Sequence, residues 1–132
     1  MAEFLGIALQ TVEENDNVLF TEDVFCSGRG ITRRPGSGIV RVSGNGSQGR
    51  ARYLVAIGGT VGEISVAISI DGEALASTQM IVTPAAVENF FNVSAQAYID
   101  VPCGCCVTIA VENTSDQAIE VQNANLIVVR VA

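Results

Sequence analysis

Residues 63–77 read EISVAISIDGEALAS. Ile64, Val66, Ile68 and Ile70 alternate with Glu63, Ser65, Ala67 and Ser69, the two-residue period of a strand with one face buried. Asp71-Gly72 follows at once, and these residue types accept the positive φ angles of a tight hairpin turn. The spacing predicts a return strand from about Glu73 to Val82, ending at Thr83-Pro84, because proline cannot donate to a sheet ladder. A hairpin of this kind commits the chain to antiparallel sheet.

Further strands are expected at residues 3–11, 17–20, 38–43, 50–58, 89–100, 106–112 and 118–131, separated by Gly-, Pro- and Asn-rich breaks. No segment carries a helical apolar stripe. The 132 residues are 48% hydrophobic and 16% charged, with 13 Gly and no Trp, which suits short strands joined by tight turns. The expectation is an all-β fold, an antiparallel two-sheet sandwich or jelly roll of about 8–10 strands. Residues 37–132 read as the jelly-roll core. Residues 1–36 are strand-rich and read either as an anchoring arm or as part of the same sandwich.

Several strands are apolar on both faces. In 50–58, Tyr53, Val55 and Ile57 point one way and Leu54 and Ala56 the other; near the C-terminus, Ile127, Val129 and Val131 oppose Leu126 and Val128. A two-sheet monomer leaves one face of each antiparallel sheet polar, so a second apolar face indicates a subunit interface. Tyr53, Leu54, Phe90, Phe91, Leu126 and Val128 are the expected contacts.

The net charge of −7 argues against nucleic acid or an anionic membrane as main partner. Its distribution is uneven. Arg29, Arg33, Arg34, Arg41, Arg50 and Arg52 fall between positions 29 and 52, and no acid occurs from Val24 to Gly62; Lys and His are absent. Arginine favours planar, bidentate pairing with carboxylate or phosphate. The window reads either as solvated loop charge or as a docking patch for an acidic surface, a neighbouring copy included. No apolar run approaches the roughly 18–20 residues of a membrane span, and MAEFLGIALQ lacks the basic start of a signal peptide. The expectation is a chain that begins as it is made, without a secretory signal.

With the strands in order, the residues from about Ser37 onward resemble a family. RYLVAIGGTVGEISVAISIDGEAL, VSAQAYIDVPCGCCVTIAVENTS and the closing VQNANLIVVRVA are similar to the tumour-necrosis-factor/complement-like jelly roll. More narrowly they resemble the small trimeric heads of bacterial and phage collagen-like proteins. The matching elements are Ile70-Asp71-Gly72, Val101-Pro102-Cys103-Gly104, Asn113-Thr114-Ser115 and Asn123 to Ala132. No Gly-X-Y tract precedes them, which brings the chain nearer to short phage or prophage structural proteins. The resemblance implies a ten-strand jelly roll and a homotrimer with an apolar three-fold interface. It leaves the ligand open, because one fold hosts many functions.

Three of the four cysteines crowd into VPCGCCVTI, residues 101–109, with Cys26 apart. Cys103, Cys105 and Cys106 form C-x-C-C, which does not match the paired knuckles of a zinc site. Cys103 to Cys106 has redox-motif spacing without a helix start or base to lower a thiol pKa. A disulfide from Cys26 to one of the three stays open. The preferred reading is packing, since a thiol behaves as a small hydrophobe: in the resemblance Cys103 stands where relatives carry Ala, and Cys106 is expected to open a strand facing the core.

Little else looks like chemistry. Without His the commonest general base and metal ligand are missing. The acidic stretches 13–17 and 21–23 lack a calcium-loop pattern, and no phosphate-cradling or nucleophile motif occurs. Three N-x-S/T matches, at Asn45, Asn92 and Asn113, read as chance. The expectation is therefore a non-enzyme with no cofactor, no metal and no catalytic residue. Together with the resemblance, this makes the expectation a structural phage protein of capsid-decoration or head-fibre type, made in the bacterial cytoplasm and carried on the virion, whose partners would be itself and a capsid or fibre protein. The alternative is an adhesin-like head that binds glycan or a host-surface protein through apical loops.

Overall fold

The computed structural model describes residues 2–26, 31–33, 38–43, 48–101 and 106–130, with backbone alone for 23–26, 32–33 and 130. Arg29, Arg34, Cys103, Cys105 and the Pro102-Gly104 crossing lie outside the described residues, as do the side chains of Cys26 and Arg33.

Twelve strands form within those limits: β1 (Ala2–Gly6), β2 (Gln10–Val12), β3 (Glu22–Cys26), β4 (Ile31–Arg33), β5 (Val40–Ser43), β6 (Gln48–Gly58), β7 (Ile64–Ile70), β8 (Glu73–Ala74), β9 (Met80–Val82), β10 (Phe90–Asp100), β11 (Cys106–Asn113) and β12 (Ile119–Arg130). They make two antiparallel sheets. The first runs β10-β6-β12-β1-β3, with β2 also on β12; the second runs β4-β5-β11-β7-β8, with β9 also on β7. Residues before position 37 contribute strands to both sheets.

Period-2 patterning builds the core between them. Phe4, Tyr53, Val55, Ile57 and Leu126 come from the first sheet, and Ile64, Ile68, Val40 and Ile109 from the second; all are fully or almost fully buried. The hairpin forms as its sequence dictates, with positive φ at Asp71 (53°) and Gly72 (85°). Asp71 also clamps the neighbouring strand: its Oδ1 accepts the Thr108 backbone N–H at 2.9 Å.

Four details depart from the sequence reading. The expected strand 3–11 breaks into β1 and β2 around exposed Ile7 and Leu9. There the Gln10 side chain acts as a surrogate strand, donating to the Leu19 carbonyl (2.9 Å) and accepting from the Leu19 N–H (2.8 Å). Residues 17–20 are not a ladder strand. They form a strap between the sheets, with Val18 N–H donating to Val111 O and Thr21 N–H to Leu5 O, each at 2.8 Å; Val18 and Phe20 are fully buried. The return strand 73–82 is interrupted by a 3-10 turn at Ala76–Thr78, because Thr78 Oγ1 accepts the Ile68 N–H and donates to Leu75 O. Strand β3 falls in EDVFC and β4 in the Arg- and Gly-rich stretch that follows, two places within the strand-rich residues 1–36 to which the sequence pattern assigns no individual strand.

Asn113, Thr114 and Ser115 are structural. Asn113 is fully buried, and its Nδ2 donates to the carbonyls of Val12 (3.0 Å), Glu13 (3.2 Å) and Gln117 (2.9 Å). Its Oδ1 accepts the Ser115 N–H and hydroxyl. One amide thus ties the start of the strap to the turn before β12, which satisfies backbone groups that burial would otherwise leave unpaired.

Candidate self-association face

The outward side chains of the first sheet can be laid out row by row from the strand register. One row reads Ser94, Leu54, Asn125, Leu5 and Glu22; the next reads Gln96, Arg52, Ile127 and Glu3; the next Tyr98, Arg50 and Val129. Leu54 is 45% exposed and Tyr98 72% exposed. Ala56, Leu5, Ile127 and Val129 are half-buried on the same face. Arg50, Arg52, Gln96, Ile127 and Val129 line a shallow groove of about 350 Å³. Apolar centre and charged flanks suit this face to contact with another protein.

Only part of the expected interface lies there. Leu54 is on the face, and Phe90 sits half-buried at its end, packed over Gly58. A Cβ at Gly58 would stand 3.0 Å from the Phe90 ring and 2.2 Å from Asn89 O. Phe91 is paired with Ile57 and so has core-facing parity, but it lies at the rim, 40% exposed. Tyr53, Leu126 and Val128 do not reach the surface: each is at most 1% exposed, inside the sandwich.

For Leu126 and Val128 the reason is a bulge. Gln122 pairs with Ala56 while Asn125 pairs with Leu54, so β12 spends three residues where β6 spends two. Asn123 absorbs the extra residue at φ 54°. A single inserted residue turns every later side chain to the opposite face. Before the bulge Ile119 and Val121 point inward; after it Ala124, Leu126 and Val128 do, and Ile127 and Val129 turn out. Tyr53 is inward because its phenol has a structural task. Its hydroxyl donates toward Thr78 O (2.7 Å) and lies 3.3 Å from Val66 O, joining the sheets, and burial pushes its pKa up.

The described arginines of the window divide between the two sheets. Arg50 and Arg52 lie on the outer face of the first sheet, whereas Arg41 is exposed on β5 in the second. The sequence reading missed Ile127, Val129, Leu5 and Glu3 as face residues. The period-2 pattern of β1 could have supplied Glu3 and Leu5, since Phe4 between them is the obvious core residue.

The second sheet presents a different outer surface. Ser65, Ala67 and Ser69 on β7 and Ala110 on β11 point outward yet are at most 4% exposed, so both faces of β7 are buried. Ser65 Oγ lies 2.7 Å from Thr114 Oγ1 and accepts from Gln79 Nε2 at 3.2 Å. Glu112, half-buried beside Ala67 and Asn17, has one carboxylate oxygen sealed from solvent without a hydrogen-bond partner among the described residues, and desolvation raises its pKa. Cys106 is half-buried and opens β11. It has the outward parity of Thr108 and Ala110, because Val107, Ile109 and Val111 are the core residues; the expected core-facing thiol is corrected accordingly. Among the described residues, no three His, Cys, Asp or Glu side chains converge as metal ligands.

No protein-family model and no curated protein matches the sequence. Solved structures do match the fold. The globular domain of zebrafish complement 1qA protein superimposes with a TM-score of 0.64 at 11% identity, covering 96% of this chain and 94% of that one. Murine APRIL gives 0.57 at 14% identity, over 95% and 97%. The vertex protein P5 of PRD1 gives 0.55 at 11% identity, over 99% and 96%. The fold is the tumour-necrosis-factor/complement-like jelly roll. At these identities the likeness concerns the fold, and the jelly roll is compatible with a structural or a binding role.

Proposed function

We propose that the chain is a structural protein that assembles as a homotrimer through the outer face of its first sheet and decorates or caps a phage particle. The observation that carries this reading is that face: Leu54, Ala56, Ile127, Val129 and Leu5 form an apolar strip with no covering segment among the described residues. Burying such a strip contributes about 25 cal/mol per Å² of apolar surface, so assembly adds to the stability of the folded chain. The resemblance to trimeric jelly-roll heads supports the three-fold arrangement, and a vertex protein with the same fold supports a place on a particle. No described helix is long and apolar enough to cross a membrane.

Solution mass by light scattering, with and without reductant, tests the assembly. A mass about three times 13.8 kDa, unchanged by reductant, is expected. A monomer at all concentrations would remove the basis for the reading.

A second reading, an adhesin-like head, draws on Tyr98, which stands 72% exposed beside Gln96 and Arg50 as an aromatic stacking surface flanked by polar groups. Saturable binding on a glycan array that is lost in Tyr98→Ala would favour it over a purely structural role.

A further inference from the structure

We propose that the self-association face is keyed by an intersubunit ion pair, in which Glu3 of one copy meets Arg52, flanked by Arg50, of the next. This rests on the self-assembly reading above and names the contacts that set its register. Across its central rows the face is charge-segregated, with Asp100 and Glu120 lying at its two ends. Along a single row the residues run Gln96, Arg52, Ile127, Glu3, so the cation and the anion stand two strands apart, roughly 10 Å at about 4.8 Å per strand. Arg50 extends the cationic half and Glu22 the anionic half.

Arg50 and Arg52 have no hydrogen-bond or ion-pair partner for their guanidinium groups among the described residues, and none belongs to the residues with further contacts. Glu3 is held in place: Asn125 Nδ2 donates to its Oε2 at 2.7 Å, leaving its other oxygen available. The groove lined by Arg50, Arg52, Gln96, Ile127 and Val129 combines two cations and an amide with two aliphatic walls. Glu3 and Leu5, two apart on β1 and both outward, present the complementary acid and aliphatic group.

In a cyclic assembly, unlike halves of the same surface meet at each contact, so this segregation gives every interface an attractive pairing. A parallel stacking of like halves would set arginine against arginine. Such complementarity contributes to register and specificity, which matters for a chain whose net charge is −7 and whose copies repel at long range.

A charge-swap cycle tests this. Arg52→Glu and Glu3→Arg, each alone, are expected to raise the dissociation constant of the assembly about tenfold or more, read by sedimentation equilibrium on the full chain. The double swap, Arg52→Glu with Glu3→Arg, is expected to restore assembly to within about threefold of the parent. Raising NaCl from about 50 to 500 mM should weaken the parent and the double swap and strengthen the singles, whose like-charge repulsion it screens. Circular dichroism melts check that each variant folds. Should a reversal fail to fold, the neutral pair Arg52→Gln and Glu3→Gln completes the same cycle. Singles that assemble like the parent, or a double no better than the sum of its singles, would overturn the ion pair while leaving self-assembly intact. A parent that is monomeric throughout would instead overturn the assembly reading itself.

Discussion

The two sheets of this sandwich treat their outer surfaces in opposite ways. On β7 and β11 the outward residues are small and closed in: Ser65, Ala67, Ser69 and Ala110 lie within hydrogen bonds or contacts made by the chain itself. On β6 and β12 they are larger and open: Leu54, Ile127 and Val129, with Arg50 and Arg52 beside them. Acids occur on both surfaces, Glu3 and Glu22 on one and Glu112 on the other, so their presence does not separate the two. What differs is whether apolar area has been covered within the fold, and this is why the proposed association is placed on the open face.

The largest expected effect breaks that contrast on the open side. Leu54→Asp should raise the dissociation constant of the assembly about a hundredfold or more, seen as loss of the trimer mass, while the circular dichroism spectrum stays that of a β protein. If Leu54→Asp assembles normally, the open face is not the contact. The reciprocal change, Ser69→Asp, places a carboxylate at a site 3% exposed and should cost about 3 kcal/mol of folding stability or more, read by chemical denaturation.

A smaller effect separates core from interface. Tyr53→Phe removes a hydroxyl that serves Thr78 O and Val66 O across the sandwich. It should cost about 1 kcal/mol and leave the mass unchanged; a change in assembly instead would place Tyr53 back at a subunit contact. The smallest expected effect concerns Glu112. Its folded pKa is raised by desolvation, so the folded protein holds that proton more tightly than the unfolded chain. The ionisation penalty is therefore absent below the ordinary carboxylate range and complete once pH exceeds the raised value. Glu112→Gln should melt higher than the parent at neutral pH, with the difference vanishing in acid. A constant difference across pH would assign the effect to shape rather than charge.

Much of this architecture could be read from local pattern. The hairpin at Asp71-Gly72, the long strands β6, β10, β11 and β12, and the all-β class follow from period-2 alternation and turn chemistry, which act over a few residues. The candidate face was half legible. Leu54 and the arginines at 50 and 52 were visible as residues with no place in a core. The sorting of Tyr53, Leu126 and Val128 into the interior was not, because a strand apolar on both sides gives no sign of which side meets the partner sheet. Nor was Arg41 separable from Arg50 and Arg52, since nearness in sequence says nothing about which sheet each strand joins.

The sequence by itself therefore determined the all-β class, the turn at Asp71-Gly72 and the long strands β6, β10, β11 and β12. Tertiary structure alone decided which side of each strand is in. That choice rests on pairings between distant segments, β1 with β12 and β12 with β6, and on one extra residue at Asn123. Side chains alternate with a period of two, so a single bulged residue exchanges inside for outside along the rest of the strand. No local window can reveal on which side of such a bulge the core will lie.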